Sequence, residues 1–106
     1  MSPKEIDLQR EILAYLKLRG VLCWRNQAGV VFKGRVIRMA PEGSPDIVGC
    51  MPDGRFLGVE VKLPGNKLRD KQAEFLAKLK DSNAVAFVAH SVKEVENNLR
   101  RNHVTD

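Results

Sequence analysis

The sequence predicts an α/β fold, a mixed central β-sheet flanked by helices in the order αβββ(β)αβα. Three observations carry this expectation. A helical-period apolar run opens the chain, two strand-like runs sit either side of Pro52-Asp53-Gly54, and the second half alternates helix, apolar strand and helix. Strands joined by short turns pair antiparallel, whereas a strand reached through a crossover helix pairs parallel, so this order gives a mixed sheet with helices packed on it.

The first helix spans Ser2 to Arg19, with Ser2 as N-cap, Pro3 in the first turn and Gly20 as the stop. Val21 to Trp24 reads as a strand, and Val30 to Arg38 as a hairpin turning near Lys33-Gly34, so that the sheet begins with hairpins. Asp46 to Cys50 and Phe56 to Lys62 are the next two strands, joined by a turn that the proline, acid and glycine of residues 52–54 suit. Leu68, Phe75, Leu76 and Leu79 mark a second helix ending near Lys80, and Ala84 to Ala89 is an unbroken apolar strand, buried on both faces. Ser91-x-x-Glu94 forms a capping box for a third helix, whose apolar side is Val92, Val95 and Leu99. From about Arg101 the chain is expected to fray.

A length of 106 residues suits a single domain over 1–106. With 43% hydrophobic and 29% charged residues the composition is globular, which excludes a disordered tail or a collagen-like fibre. Lys and Arg outnumber Asp and Glu 18 to 13, and a net charge of +5 favours polyanionic partners, nucleic acid ahead of a membrane surface. No apolar run approaches the ~20 residues of a membrane helix, and the N-terminus is polar where a signal peptide is apolar, so a cytoplasmic location without membrane attachment is expected. Cys23 and Cys50 both lie in apolar strand-like segments, which reads as buried thiols and not as a disulfide framework or zinc cluster.

Several polar residues occupy apolar faces. At ~100° per residue, Glu5 and Gln9 fall within the stripe of Ile12, Leu13 and Leu16, whereas Glu11 falls on the solvated side. Glu5 is either a first-turn acid favoured by the helix dipole or a ligand for something. Gln72 likewise falls between Leu76 and Leu79, as a buried amide satisfied by backbone or as part of a polar site between helix and sheet. Along the strand to Lys62, Leu57, Val59, Val61 and Leu63 share one face, the core, and Glu60 and Lys62 share the other, which carries charge. If Pro52-Asp53-Gly54 is a three-residue loop, Met51 pairs with Arg55 and Asp46 lies opposite Glu60. Two acids then meet with Lys62 as one counter-charge. An exposed, salt-bridged sheet face explains a lone acid-x-lysine tripeptide, but a divalent cation resolves this opposed pair.

Through Pro45-Asp46 and Glu60-Val61-Lys62 the sequence resembles the PD-(D/E)xK nuclease superfamily, with its restriction-endonuclease-like core, and within it the VRR-Nuc (viral-type replication and repair nuclease) family. The resemblance runs from about Glu5 to Val95 and includes Glu5-x-x-x-Gln9, Arg25-Asn26 and the Lys71-Gln72-Ala-Glu-Phe75 opening of the second helix. It implies a metal-dependent nuclease in which Asp46 and Glu60 bind the ion, the Val61 backbone carbonyl is a further ligand, and Lys62 stands beside the attacking water. Glu5, also a candidate ligand, and Gln9 match the helix-one acid and amide, and Gln72 the amide of the second helix. Small stand-alone members resemble Holliday junction resolvases, so the resemblance implies a homodimer acting on branched DNA, in a bacterium or a phage-infected cell.

Oxygen ligands with no His or Cys nearby favour Mg2+ or Mn2+ over zinc, and no small-molecule cofactor is expected. Arg25, Asn26, Lys33, Arg35, Arg38, Ser44, Lys67, Arg69 and Lys71 are candidate DNA contacts. Trp24 and Phe32 could stack on bases, although a place in the core or a subunit interface is the stronger expectation. A nuclease for flaps, nicks or duplex and a non-cutting DNA-binding module are the competing readings.

Overall fold

The structure, a computed structural model, describes residues 2–27 and 29–104. Helix α1 (Pro3–Leu18) begins where the Ser2 hydroxyl accepts the Glu5 backbone N–H at 3.2 Å. Strands β1 (Leu22–Arg25), β2 (Gly29–Phe32), β3 (Arg35–Arg38), β4 (Ile47–Cys50) and β5 (Phe56–Val61) follow, then α2 (Asp70–Asp81), β6 (Val85–Ala89) and α3 (Val92–Arg101). Four strands form the central sheet in the order β1-β4-β5-β6, with the first two pairings antiparallel and β5-β6 parallel across the α2 crossover. The predicted mixed sheet flanked by helices is therefore present. Among the described residues no helix is long and apolar enough to cross a membrane.

Helices α1 and α3 cover one face of the sheet. Ile12, Leu16, Val95 and Leu99 pack there with Leu57, Val59 and Val61, all of them fully buried. Helix α2 covers the other face over β5 and β6. It comes so close to Gly58 that a β-carbon there would lie 2.8 Å from Leu79 Cδ1. Strand β5 is thus covered on both sides, and the expectation that one of its faces is core while the other merely carries charge needs correcting: Glu60 is only 2% exposed. A salt-bridged solvent face is excluded, because a helix lies where solvent would be.

Four further expectations are corrected. The β2–β3 hairpin, with positive φ at Lys33 (51°) and Gly34 (73°), forms a separate two-stranded sheet and does not open the central one. Cys23 is buried, but Cys50 is exposed, because it faces the part of the sheet beyond α2. Trp24 and Phe32 are 52% and 58% exposed, which removes the core, though not a subunit interface, from their expected places. The chain does not fray at Arg101: α3 includes it, Val104 N–H donates to Leu99 O at 3.0 Å, and Val104 packs partly on the core. Thr105 and Asp106 lie outside the described residues. The capping of α3 also differs in detail, since Ser91 accepts the Glu94 N–H as expected but the Glu94 carboxylate turns to the backbone N–H and ring of His90.

Candidate active site

The site is built by a turn. Met51 N–H donates to Arg55 O at 2.8 Å, closing the three-residue loop over Pro52–Gly54, and Asp53 accepts the Arg55 backbone N–H at 3.0 Å. That loop sets the register in which Ile47 pairs with Val59, and one step further along the ladder Asp46 stands opposite Glu60, as the spacing predicts. Asp46 Oδ2 accepts the Val61 backbone N–H at 2.8 Å.

Glu60 points under α2, where Gln72 meets it. The Gln72 Nε2 donates to Glu60 Oε1 at 3.1 Å, while its own carbonyl accepts the Arg69 N–H at 2.9 Å, so both ends of the amide are engaged and its orientation is set. Among the described residues Glu60 Oε2, though buried, accepts no hydrogen bond, and its carboxyl stands close enough to Asp46 to share a proton with it when protonated. Burial first, and then the adjacent Asp46 carboxyl, push the Glu60 pKa up to about 9, against the opposing pull of the Lys62 and Arg69 charges. An opposed carboxyl pair with one orphaned oxygen is a donor set that fits a hard divalent cation.

A clasp missed at the sequence level holds the loop before β4. Asn26 Nδ2 donates to Ser44 Oγ and to Pro45 O, both at 2.9 Å, and Asn26 N–H donates to Asp46 O at 2.8 Å. Asn26 and Ser44, candidates for DNA contact, are thus tied to each other, and together they place Asp46. Gly43, at φ +84°, presses on the start of α2, where a β-carbon would fall 2.4 Å from Lys71 O. The only signal in the sequence is the Gly-x-Pro-Asp spacing itself.

A cleft of about 210 Å³ opens over the acid pair, lined by Pro41 to Ser44 with Arg38, Asp46, Glu60, Arg69 and Gln72. Arg38 and Arg69 put positive charge at its mouth. A larger hollow of about 640 Å³ between α2 and α3 holds, among the described residues, a single carboxylate, Glu94, already engaged by His90.

None of the remaining candidates lines this cleft. Lys62 follows β5, half-buried, with its N–H on Ala89 O at 3.1 Å, and its charge reaches Glu60. Gln9 is buried as expected, at 1% exposure, with Nε2 unpaired. Glu5 is half-buried in the first turn of α1 and does not line the cleft, and Glu11 is exposed. Among the described residues no three His, Cys, Asp or Glu side chains are grouped to hold a metal, so the acids brought together are two. Arg25, Lys33, Arg35, Lys67 and Lys71 are exposed and lie outside the cleft lining.

Among known families, residues 7–93 match the VRR-NUC domain. The chain belongs to the VRR-NUC family. A solved structure described as a VRR_NUC domain is 24% identical to it and superposes with a TM-score of 0.67, covering 93% of this chain and 97% of that one. This VRR-NUC chain therefore has a nuclease-type fold. The family match takes in Gln9, Asp46, Glu60, Lys62 and Gln72 and begins two residues after Glu5. No curated protein matches the chain.

Proposed function

We propose that this VRR-NUC chain is a metal-dependent, structure-selective DNA endonuclease that hydrolyses phosphodiesters, acting as a Holliday junction resolvase-like homodimer in the cytoplasm. The observation that carries the reading is the buried Asp46–Glu60 pair with its orphaned oxygen, an arrangement that costs stability unless a cation answers it. The ion is Mg2+ or Mn2+, held by Asp46, Glu60 and the Val61 carbonyl, with Glu5 the candidate for a further ligand. When bound it offsets the charge of the scissile phosphate and acidifies water.

The chain's own groups do the rest. Gln72 keeps Glu60 in one orientation, and the Asn26–Ser44 clasp does the same for Asp46. Lys62 orients the attacking water and stabilises the charge that gathers on the phosphoryl oxygens. Arg38 and Arg69 at the cleft mouth hold the flanking phosphates. Gln9, whose amide nitrogen is unpaired, is the helix-one positioning group.

The test is to incubate end-labelled four-way junction, flap, duplex and single strand with the protein in Mg2+, Mn2+ or EDTA, beside Asp46→Asn and Lys62→Ala. Paired nicks on the junction, lost in EDTA and in both variants, are expected. Cutting of flaps or plain duplex keeps the nuclease and rejects junction selectivity. Salt-sensitive binding without any cutting replaces the nuclease with a non-catalytic DNA-binding module, and sedimentation of the bare protein as a monomer rejects the homodimer.

A further inference from the structure

Among the described residues the β2–β3 ribbon stands outside the central sheet and pairs only with itself, from Gly29 and Arg38 to Phe32 and Arg35. Every residue from Val30 to Met39 is exposed. An isolated two-stranded hairpin is marginal in water unless something covers it. Near its tip Val31, Phe32 and Val36 are 76%, 58% and 79% exposed, and Lys33-Gly34 closes the turn in the left-handed geometry whose twist suits a ribbon.

The charge of this segment is one-sided. From Trp24 to Pro41 the chain carries Arg25, Lys33, Arg35 and Arg38 and no acid. A second copy is a poor cover for it, since a two-fold contact sets like patches together and the ribbon offers no carboxylate to its own arginines. Double-helical DNA fits on each count. A groove admits a two-stranded ribbon, cations answer phosphates, and exposed apolar side chains are of the kind that wedge between base steps. The ribbon is also continuous with the cleft, because β3 ends at Arg38 in the cleft wall and leads on to Ser44 and Asp46.

We propose that β2–β3 is a DNA-gripping arm: it lies in a groove of the duplex next to the scissile strand, with Lys33 and Arg35 on phosphates and Phe32, Val31 and Val36 wedged at an unstacked step such as a branch point. This rests on the DNA-nuclease reading and adds the element that senses the branch. At ~3.3 Å per residue the Phe32–Arg35 end of the ladder stands ~10 Å from Arg38, about three steps of 3.4 Å along a strand.

The test uses the full chain in EDTA, where binding is read without cutting. Fluorescence anisotropy is measured on duplex and four-way junction across a salt series, with 2-aminopurine beside the branch to report unstacking, and thermal melts check that each variant folds. Wild type is expected to raise the 2-aminopurine signal. Phe32→Ala is expected to abolish that rise while duplex affinity changes less than about twofold. Lys33→Ala combined with Arg35→Ala is expected to weaken binding to every DNA and to reduce the salt slope by about 2, at ~0.9 per phosphate contact. Unchanged slope and unchanged 2-aminopurine response in these folded variants, with wild-type junction cutting restored in Mg2+, overturn the arm and leave the nuclease standing. Loss of a sedimenting dimer in Val36→Ser with DNA affinity intact overturns it in favour of self-association. Absence of DNA binding by wild type in EDTA, together with absence of cutting in Mg2+ or Mn2+, overturns the nuclease reading, and the arm with it; absence of binding with cutting retained overturns the arm alone.

Discussion

Glu60 is where local forces conflict most. Its carboxyl lies under a helix, beside another acid, with an ordinary acidity near 4.5 in the unfolded chain and about 9 in the folded one. Below the lower value both states hold the proton and nothing is lost; as pH rises from about 4.5 to 9 the unfolded chain releases it first, so folding weakens across that window. In EDTA the melting temperature of wild type should fall between pH 5 and 9, and Glu60→Gln should melt higher at neutral pH with a flatter profile; identical pH profiles for the two proteins would refute the acid-pair argument. Asn26→Ala should cost about 1–2 kcal/mol by denaturant melt, since it orphans the buried groups of the Ser44–Pro45 loop. It should also lower cleavage, because the same bonds place Asp46. The sequence could show that Asp46 faces Glu60, because a three-residue loop leaves one register. It could not show the Asn26–Ser44 clasp, whose partners are eighteen positions apart and carry no periodic signal.

Elements differ in how much of their role is local. Helix α3 is set by its own cap, so Ser91→Ala should cost about 1 kcal/mol in a thermal melt and leave cleavage unchanged. Helix α2 has two tasks, covering Gly58 and presenting Gln72 to Glu60. Gln72→Leu keeps the volume and removes the donor, so it should lower cleavage about 10-fold or more through loss of Glu60 orientation and also cost about 1–3 kcal/mol by denaturant melt, since Glu60 Oε1 and the Arg69 N–H lose their partner. Unchanged cleavage by the folded variant would make Gln72 a packing residue only. The wheel position of Gln72 was legible from neighbouring leucines. The covering of the second sheet face was not, because alternation in β5 says which side a residue takes and is silent on what lies there. The same gap explains Cys50, whose side of the sheet was readable but whose distance from α2 was not. Alternation in β2 and β3 reads identically whether the ribbon joins a larger sheet or stands alone, so its independence had no sequence signature.

At the scale of the whole molecule, the core is one layer of side chains between the sheet and the α1–α3 pair. Leu57 is fully buried at its centre, and Leu57→Ala should cost about 2–5 kcal/mol by denaturant titration. Element order and the directions of β4, β5 and β6 were legible, since a three-residue turn forces the antiparallel pair and the crossover helix the parallel one, whereas the β1–β4 pairing, made across a long connection, was not. Folding order follows from the same connections. The β4–β5 hairpin closes over three residues, an event on the order of 1–10 μs, whereas α2 and β6 arrive over a far longer loop and therefore later. For that interval the Glu60 carboxyl faces water, without the burial that raises its pKa in the finished fold. Docking of α2 expels the water and, at neutral pH, draws a proton onto Glu60. Completing the crossover at neutral pH is thus a proton-uptake step, so the finished fold carries one proton more than the open hairpin did.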